Sequence, residues 1–167
     1  MADDSTRSSS DHVAKVSELI ADERQAMLTT TSPDGTLMSR PMAVQAADFG
    51  GDLWFFAERG SRKVQHLTTH PQVNVTFASS DSWVSLTGRA SVVADDAKKR
   101  ELWNTVVEAW FPDGKDDPAI ALLKVDGESA EYWDTPGGRV ASVLSFAKAK
   151  VTGKPYSGGE NEKVDLP

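Results

Sequence analysis

The stretch that decides the fold runs from Ser39 to Lys63 and reads SRPMAVQAADFGGDLWFFAERGSRK. Its first part is strand-like, and Arg40 lies on the same face as Met38 and Met42 because side chains alternate along a strand. A guanidinium group on an otherwise apolar face is unfavourable to bury unless an anion meets it. The neighbouring Pro41 donates no backbone hydrogen bond, which is typical of an edge strand or a bulge. We therefore expect an interrupted strand with a charge that needs a partner.

The same stretch ends in a basic turn, Ser61-Arg62-Lys63, at the predicted start of a helix. Free backbone N–H groups and the helix dipole favour an anion at such a position. Together with Arg40 and the aromatic strand Leu53–Ala57, the turn predicts a phosphate pocket beside a flat apolar compartment, which suits a nucleotide-like cofactor. The alternatives are an Arg40–carboxylate pair, a solvated helix start, and aromatic residues Phe55 and Phe56 that simply belong to the core.

Composition bounds the class of protein. The chain has 167 residues, a formal net charge of −7 and a pI near 4.9, which fits one domain and argues against nucleic acid or an anionic membrane as main partner. The lack of cysteine excludes disulfides, thiol catalysis and thiolate metal sites. His12, His66 and His70 match no metal-ligand spacing, so we predict no metal site and surface positions for all three. We see no secretory signal or membrane-spanning run and expect a cytoplasmic protein.

The order of turn and periodicity signals predicts a β-dominated α+β fold. The turn Ser32-Pro33-Asp34-Gly35 joins the first two strands, and Gly88 in a later strand indicates a bulge or the close approach of another group. One helix is predicted over Asp95–Trp110, a hairpin around Asp126-Gly127, and a short helix after Gly137. Six or seven antiparallel strands with three or four short helices favour a barrel.

Composition also divides the chain. We predict a disordered segment over residues 1–10, one domain over 11–152 that starts with a helix at Asp11, and a flexible tail over 153–167. The run Leu53-Trp54-Phe55-Phe56 lacks polar alternation, so both of its faces must be covered. Because a monomer with few helices offers little cover, we predict a two-fold homodimer.

Six short landmarks follow one another along the chain. They are Ser39-Arg40-Pro41-Met42, Phe55-Phe56-Ala57, Ser61-Arg62-Lys63, His70-Pro71-Gln72-Val73, Gly88-Arg89-Ala90 and Ala130-Glu131-Tyr132-Trp133-Asp134. By their order and spacing, the chain from about Asp11 to Asp134 resembles the FMN-binding split-barrel family. It looks like that family's general-stress-protein branch, which is related to pyridoxamine 5′-phosphate oxidase. The resemblance implies a split antiparallel β-barrel.

The resemblance also implies a cofactor and the residues that hold it. The cofactor would be FMN, or else FAD or another flavin, at the interface of a homodimer. Arg40 and the turn Ser61-Arg62-Lys63 would hold the phosphate, the backbone of residues 41–43 would line the isoalloxazine, and Phe56 and Ala57 would flank the ring and ribityl chain. The implied cofactor-binding residues are, in full, Ser39, Arg40, Pro41, Met42, Ala43, Phe56, Ala57, Ser61, Arg62, Lys63, Trp83 and Trp110, the last coming from the partner subunit.

The chain departs from the oxidase at three places. Gln45 stands where the oxidase has a second phosphate-binding lysine, and Trp83 stands where it has a flavin-contacting glutamine. After Trp133 the chain carries Arg139 but no histidine, whereas the oxidase uses an arginine and a histidine near its C-terminus to hold its substrate. We therefore do not expect efficient oxidation of pyridoxine 5′-phosphate.

Three functions remain open from the sequence. The leading hypothesis is a stress-related flavin-binding protein of oxidoreductase type, in which the flavin carries the redox chemistry. The alternatives are a non-catalytic flavin or flavin-nucleotide buffer or sensor, and a cofactor-free dimer that serves as an interaction module. The sequence predicts no catalytic residue and no physiological substrate.

Overall fold

The computed structural model describes residues 3–45, 49–135 and 159–166, and in these ranges the fold has four helices and seven strands. The helices are α1 (Asp3–Ile20), α2 (Arg62–Thr69), α3 (Asp96–Leu102) and α4 (Thr105–Trp110). The strands are β1 (Gln25–Thr31), β2 (Leu37–Ala43), β3 (Asp52–Glu58), β4 (Gln72–Ala78), β5 (Ser82–Val93), β6 (Ile120–Asp134) and β7 (Glu160–Asp165). The predicted β-dominated α+β class is confirmed.

The strands form one antiparallel sheet in the order β2-β1-β4-β5-β6-β3, with β7 also paired to β6. Along the long strand β6, β5 occupies one edge, while β3 and β7 share the other edge at opposite ends. The terminal strands β2 and β3 approach each other where the Gln45 N–H donates to the Trp54 carbonyl over 3.4 Å. Because its two end strands approach each other, the sheet curls into a barrel. Because these strands form no ladder with each other in the described ranges, the barrel is split between β2 and β3.

Two hydrophobic clusters cover the two faces of β3. The main core fills the barrel and includes the buried rings of Phe55 and Phe77. The second cluster joins Phe56 of β3 to Leu102 of α3 and Val107 of α4. Because both faces are covered within one chain, the sequence argument that they need a partner subunit is wrong. Any support for a homodimer must come from other surfaces.

The segment predicted as one helix over Asp95–Trp110 is two helices, α3 and α4. Trp103 has an extended backbone and ends α3, and Asn104 caps α4. The side-chain oxygen of Asn104 accepts hydrogen bonds from the backbone N–H groups of Val106 and Val107 at 3.0 and 3.1 Å. An asparagine can thus start a new helix instead of continuing the old one. The helical spacing of the apolar residues continues across the break, because both helices pack into the second cluster, and so the spacing alone predicted one helix.

The hairpin predicted around Asp126-Gly127 is also wrong, because β6 runs through these residues without a turn. Opposite them, the register between β5 and β6 shifts between Thr87 and Gly88, which confirms the predicted bulge. A Cβ atom on Gly88 would lie 2.2 Å from the Asp126 carbonyl oxygen, so only glycine permits this approach of the two backbones. Gly88 and Gly127 therefore lie at a bulge between two long strands, and Gly127 is not part of a turn between two short ones.

The N-terminal helix is longer than predicted. α1 begins at Asp3 rather than at Asp11, so the segment predicted as disordered is helical from residue 3 onward. Its apolar face is the predicted one, since Val16 and Ile20 are buried against the main core. No helix of the described ranges is both long and apolar enough to cross a membrane.

The C-terminal end also differs from its predicted state. Residues 160–165, predicted as part of a flexible tail, form β7 along β6. Val164 is the one buried side chain of this strand, and Leu166 follows it into the main core. A strand that buries a single side chain shows little alternation in its sequence, which is why composition suggested a loose tail. The helix predicted after Gly137 lies outside the described residues.

Candidate functional site

Arg40 lies on β2 directly opposite Leu28 of β1, half-buried and on the same side of the strand as the buried Met42. Its Nη1 donates to the Leu28 carbonyl oxygen at 3.1 Å and to the Thr30 hydroxyl at 2.7 Å. Of the carboxylates that the structure describes, none forms an ion pair with Arg40. Neutral groups anchor the guanidinium, and no carboxylate of the described ranges neutralises its charge.

The basic turn begins α2. Ser61 is the N-cap residue, with an extended backbone at φ −69° and ψ 152°, yet its side chain makes no capping hydrogen bond. The Ser61 hydroxyl oxygen is buried without any hydrogen-bond partner. Leaving such a group unsatisfied is unfavourable by about 1–3 kcal/mol. Arg62 is exposed and Lys63 is half-buried in the first turn, where free backbone N–H groups favour an anion.

Arg40, Arg62 and Lys63 come together as one basic cluster. Burial, and secondarily the charge of Arg62, lower the pKa of Arg40. Burial, and secondarily the charge of Arg40, lower the pKa of Lys63, with an opposing effect of Glu58. These two charge effects put Arg40 within electrostatic reach of both Arg62 and Lys63, so β2 and the start of α2 hold three like charges near one another. Such an arrangement becomes favourable when an anion lies among the cations.

Two residues that adjoin the basic cluster were missed by the sequence analysis. Thr30 is fully buried, His66 is only 5% exposed, and Thr30 Oγ1 lies 2.9 Å from His66 Nδ1. The prediction that His66 lies at the surface is therefore wrong. One signal was available, because the alternation of Ala26, Leu28 and Thr30 places Thr30 on the buried face of β1. For His66 the signal was its place next to Leu67, on the buried side of a short helix.

The other predicted residues of β2 divide between two faces. Met42 is buried, whereas Ser39 and Pro41 are exposed on the outer face. The Ser39 hydroxyl lies 2.7 Å from that of Thr29, so its side chain is turned away from the basic cluster. The backbone of residues 41–43 runs along the split, since β2 pairs only with β1 in the described ranges.

Gln45, which the family resemblance matched to a lysine of the oxidase, makes contacts of another kind. It is buried, its Nε2 donates to the Ala43 carbonyl oxygen at 3.2 Å, and its Oε1 accepts from Asn104 Nδ2 at 2.9 Å. Gln45 therefore ties the end of β2 to the cap of α4. As a neutral group with both ends engaged, it adds no charge to the basic cluster.

Phe56 and Ala57 do not present their side chains to the split. Phe56 is 8% exposed and packs edge-on against Trp103, with ring centroids 5.6 Å apart. Ala57 is buried in the main core. Both lie on β3, the other wall of the split, so a ligand there would meet their main chain.

Three tryptophans are exposed on the outside of the fold. Trp83 of β5 and Trp133 of β6 are direct partners in the ladder and are 44% and 39% exposed. Trp110, at the end of α4, is 77% exposed, and Val106 one turn earlier is 57% exposed. Exposed aromatic patches mark surfaces that bind ligands or other chains. Neither Trp83 nor Trp110 makes a cation–π contact with the basic cluster in the part of the chain that the structure describes.

A cavity of about 530 Å³ lies elsewhere, between α3 and the loop that precedes β6. It is lined by Arg59, Asp96, Lys99, Arg100, Lys115, Asp116, Asp117, Pro118 and Ile120. Its walls mix cations with carboxylates, and two of the cations donate to backbone carbonyls: Arg59 Nε to Pro118 at 3.1 Å and Lys99 Nζ to Asp117 at 3.2 Å. None of the site residues predicted from the sequence lines it. With little apolar wall for a flat ring, this cavity is the weaker candidate.

Comparison with known proteins agrees with the geometry. The family described as "Pyridoxamine 5'-phosphate oxidase like" matches residues 11–157. Protein bli-3 of Neurospora crassa is 32% identical over 152 residues, which cover 84% of this chain and 73% of that protein. A solved structure described as a general stress protein 26 from Jannaschia sp. CCS1 is similar at a TM-score of 0.78 and 26% identity, over 94% of this chain and 99% of that one. The solved structure of the general stress FMN/FAD binding protein of Xanthomonas citri is similar at a TM-score of 0.65 and 31% identity, over 75% of this chain and 89% of that one. With seven strands of a split barrel in the described ranges, this chain belongs to the pyridoxamine 5′-phosphate oxidase-like family, in the general-stress-protein branch.

Proposed function

We propose that this chain binds FMN through its phosphate at the basic cluster and acts as a stress-related flavoprotein of oxidoreductase type. One observation carries the proposal: three cations lie near one another beside the unsatisfied hydroxyl of Ser61, and none of them forms an ion pair with a carboxylate of the described residues. In a chain of net charge −7, such a cluster is not a consequence of overall composition. A bound anion gives it a physical reason.

The donors of the cluster fit a phosphate monoester. The guanidinium of Arg40 offers a planar fork of N–H groups beyond the nitrogen that Leu28 and Thr30 engage, and Lys63 adds a point charge. The first turn of α2 adds free backbone N–H groups and the positive end of the helix dipole. Because the Ser61 hydroxyl oxygen is buried, a rotation of its side chain toward the bound phosphate would give it the missing partner.

The ring of the cofactor would lie along the split. There the main chain of residues 41–43 and 56–57 forms the two walls, and an unpaired strand edge has donors and acceptors for the polar edge of a flavin. The Xanthomonas citri structure, at 31% identity, is named for FMN/FAD binding, which supports a flavin. FAD or another flavin would share the ring, and FMN is favoured because it ends in a phosphate monoester.

The protein's part in the chemistry would be position and electrostatics. A bound flavin would supply the redox chemistry. The basic cluster would hold the phosphate, and the walls of the split would orient the ring; no side chain is assigned as an acid or base. Oxidation of pyridoxine 5′-phosphate is not included, because no histidine follows His70, and Arg139 lies outside the described residues.

The test of flavin binding is titration of the purified protein with FMN, followed by absorbance and flavin fluorescence. We expect about one FMN per chain with a Kd of roughly 1 μM or below, near −8 kcal/mol. A colourless protein that takes up no FMN would contradict the proposal. Turnover of an electron donor faster than by free FMN would distinguish an oxidoreductase from a non-catalytic buffer or sensor.

We also propose a two-fold homodimer, for which the exposed tryptophans now provide the argument. Trp83 and Trp133 lie opposite each other in the ladder with exposed side chains on the outer face of the sheet, and burying them against a second copy would remove apolar surface from water. We expect light scattering to show a dimer at micromolar concentration. Trp133→Lys should give a monomer that is still folded by circular dichroism. A wild-type monomer that binds flavin normally would show that the interface does not exist.

A further inference from the structure

A buried histidine is connected to the basic cluster by a single hydroxyl group. Arg40 Nη1 donates to Thr30 Oγ1 at 2.7 Å, and the same Oγ1 lies 2.9 Å from His66 Nδ1. Thr30 is fully buried and His66 is 5% exposed, so water competes little for these groups. The three side chains form one hydrogen-bonded chain that crosses from β2 through β1 to α2.

The direction of these hydrogen bonds follows from the chemistry of the groups. A guanidinium only donates, so Thr30 Oγ1 accepts from Arg40 and keeps its own hydrogen for another acceptor. Of the partners that the structure describes for this hydroxyl, His66 Nδ1 is the one able to accept it. The imidazole is then neutral, with its proton on Nε2. The other tautomer, or an imidazolium, would leave the buried Thr30 hydrogen without an acceptor, which is unfavourable.

We propose that His66 is a positioning residue for the phosphate site, which orients the Arg40 guanidinium through the Thr30 hydroxyl. The inference rests on the proposed function, since it takes Arg40 as a ligand of the cofactor phosphate. Arg40 Nη1 is held both by Thr30 and by the Leu28 carbonyl, and two anchors on one nitrogen restrict rotation of the guanidinium. A guanidinium that is already oriented loses less freedom when the anion binds.

The hydrogen-bonded chain also fixes the two halves of the basic cluster relative to each other. His66 lies on α2, the same helix whose first turn carries Arg62 and Lys63, whereas Arg40 lies on β2. A link from Arg40 to His66 therefore sets the distance between the arginine and the start of the helix. Loss of the link should loosen contacts to the phosphate and leave contacts to the ring unchanged.

Two variants and two ligands test this role. His66→Leu removes the acceptor, whereas His66→Asn places an amide oxygen near the position of Nδ1. We expect His66→Leu to weaken FMN binding about 5- to 10-fold, the loss that one hydrogen bond brings, with riboflavin binding within about twofold of wild type. His66→Asn should restore FMN binding to within about twofold of wild type. In the cofactor-free protein, ¹⁵N NMR should show His66 as the neutral Nε2–H tautomer.

Several results would overturn the inference. Unchanged FMN affinity in His66→Leu, or equal weakening of FMN and riboflavin, would show that His66 does not act on the phosphate. An Nδ1–H tautomer or an imidazolium at neutral pH would contradict the hydrogen-bond direction on which the role of His66 depends. Because the ¹⁵N NMR measurement uses the wild-type protein, it decides the question even if His66→Leu fails to fold. Failure of the wild-type protein to bind FMN would overturn the proposed function itself, whereas FMN binding with no effect of His66→Leu overturns only the role of His66.

Discussion

Replacing Lys63 with methionine is expected to weaken FMN binding about 10- to 100-fold and to leave riboflavin binding within about threefold of wild type. The two ligands share the ring and the ribityl chain and differ by the phosphate. Lys63 lies in the first turn of α2, near enough to Arg40 for the charge of the arginine to lower the pKa of the lysine, and the proposed function has it contact the phosphate rather than the ring. Losing one charge-assisted hydrogen bond to a dianion corresponds to about 1.5–3 kcal/mol.

A matched control separates this effect from a general loss of positive charge. Lys115→Met makes the same change of charge at the separate cavity and should leave FMN binding within about twofold of wild type. Calorimetric titration of both variants at one fixed ionic strength gives the comparison, because salt screens exposed charges. If Lys63→Met weakened FMN and riboflavin alike, the assignment of the phosphate to the basic cluster would be wrong.

The pH dependence of FMN binding gives a second measurement on the same variant. Burial and the neighbouring Arg40 lower the pKa of Lys63 from 10.5, so its charge is present below that lowered pKa and is lost as the pH rises through it. The preference for FMN over riboflavin should therefore fall at alkaline pH in the wild-type protein, at a lower pH than for an ordinary lysine. Lys63→Met should lack this fall.

The face of Arg40 and the start of α2 were predictable because both depend on local rules. Period-two alternation places Arg40 beside Met42 whatever the rest of the sheet does, and Ser61 marks the helix start by its residue type. The partners of these residues were not predictable in the same way. Thr30 and His66 meet only because α2 packs on β1, and no local pattern encodes that contact.

The errors in the fold have the same origin. Asn104 can either cap a helix or lie inside one, and the packing of α4 decides that it is a cap. Gly127 can lie at a bulge or in a turn, and the pairing of β5 with β6 decides that it lies at a bulge. β3 does not need a second subunit to cover it, because α3 and α4 cover Phe56, and local patterns do not show this since both helices lie far along the chain from β3. Sequence patterns predicted most of the strands and the helix α2, whereas long-range packing determined the break between α3 and α4, the course of β6 and the pairing of β7.

Gly88→Ala is expected to destabilise the protein by about 3 kcal/mol, at the upper end for adding one methyl group to a packed site. The new Cβ would lie 2.2 Å from the Asp126 carbonyl oxygen and 3.0 Å from the Gly127 Cα. Both are backbone atoms, so no side-chain rotation can relieve the clash, and β5 or β6 must move. Since β6 also pairs with β3, a wall of the split, a shift there should reach the candidate cofactor site as well.

Urea unfolding followed by tryptophan fluorescence measures the change, with Gly50→Ala as the control. A methyl group added to Gly50 would meet no heavy atom within 4 Å, and Gly50 does not have a positive φ, so its substitution should change the free energy of unfolding by no more than about 0.5 kcal/mol. A loss below about 1 kcal/mol in Gly88→Ala would mean that the two strands can separate easily at the bulge. In that case the bulge would not fix the path of β6, and the close approach of Gly88 to Asp126 would not hold the barrel's shape.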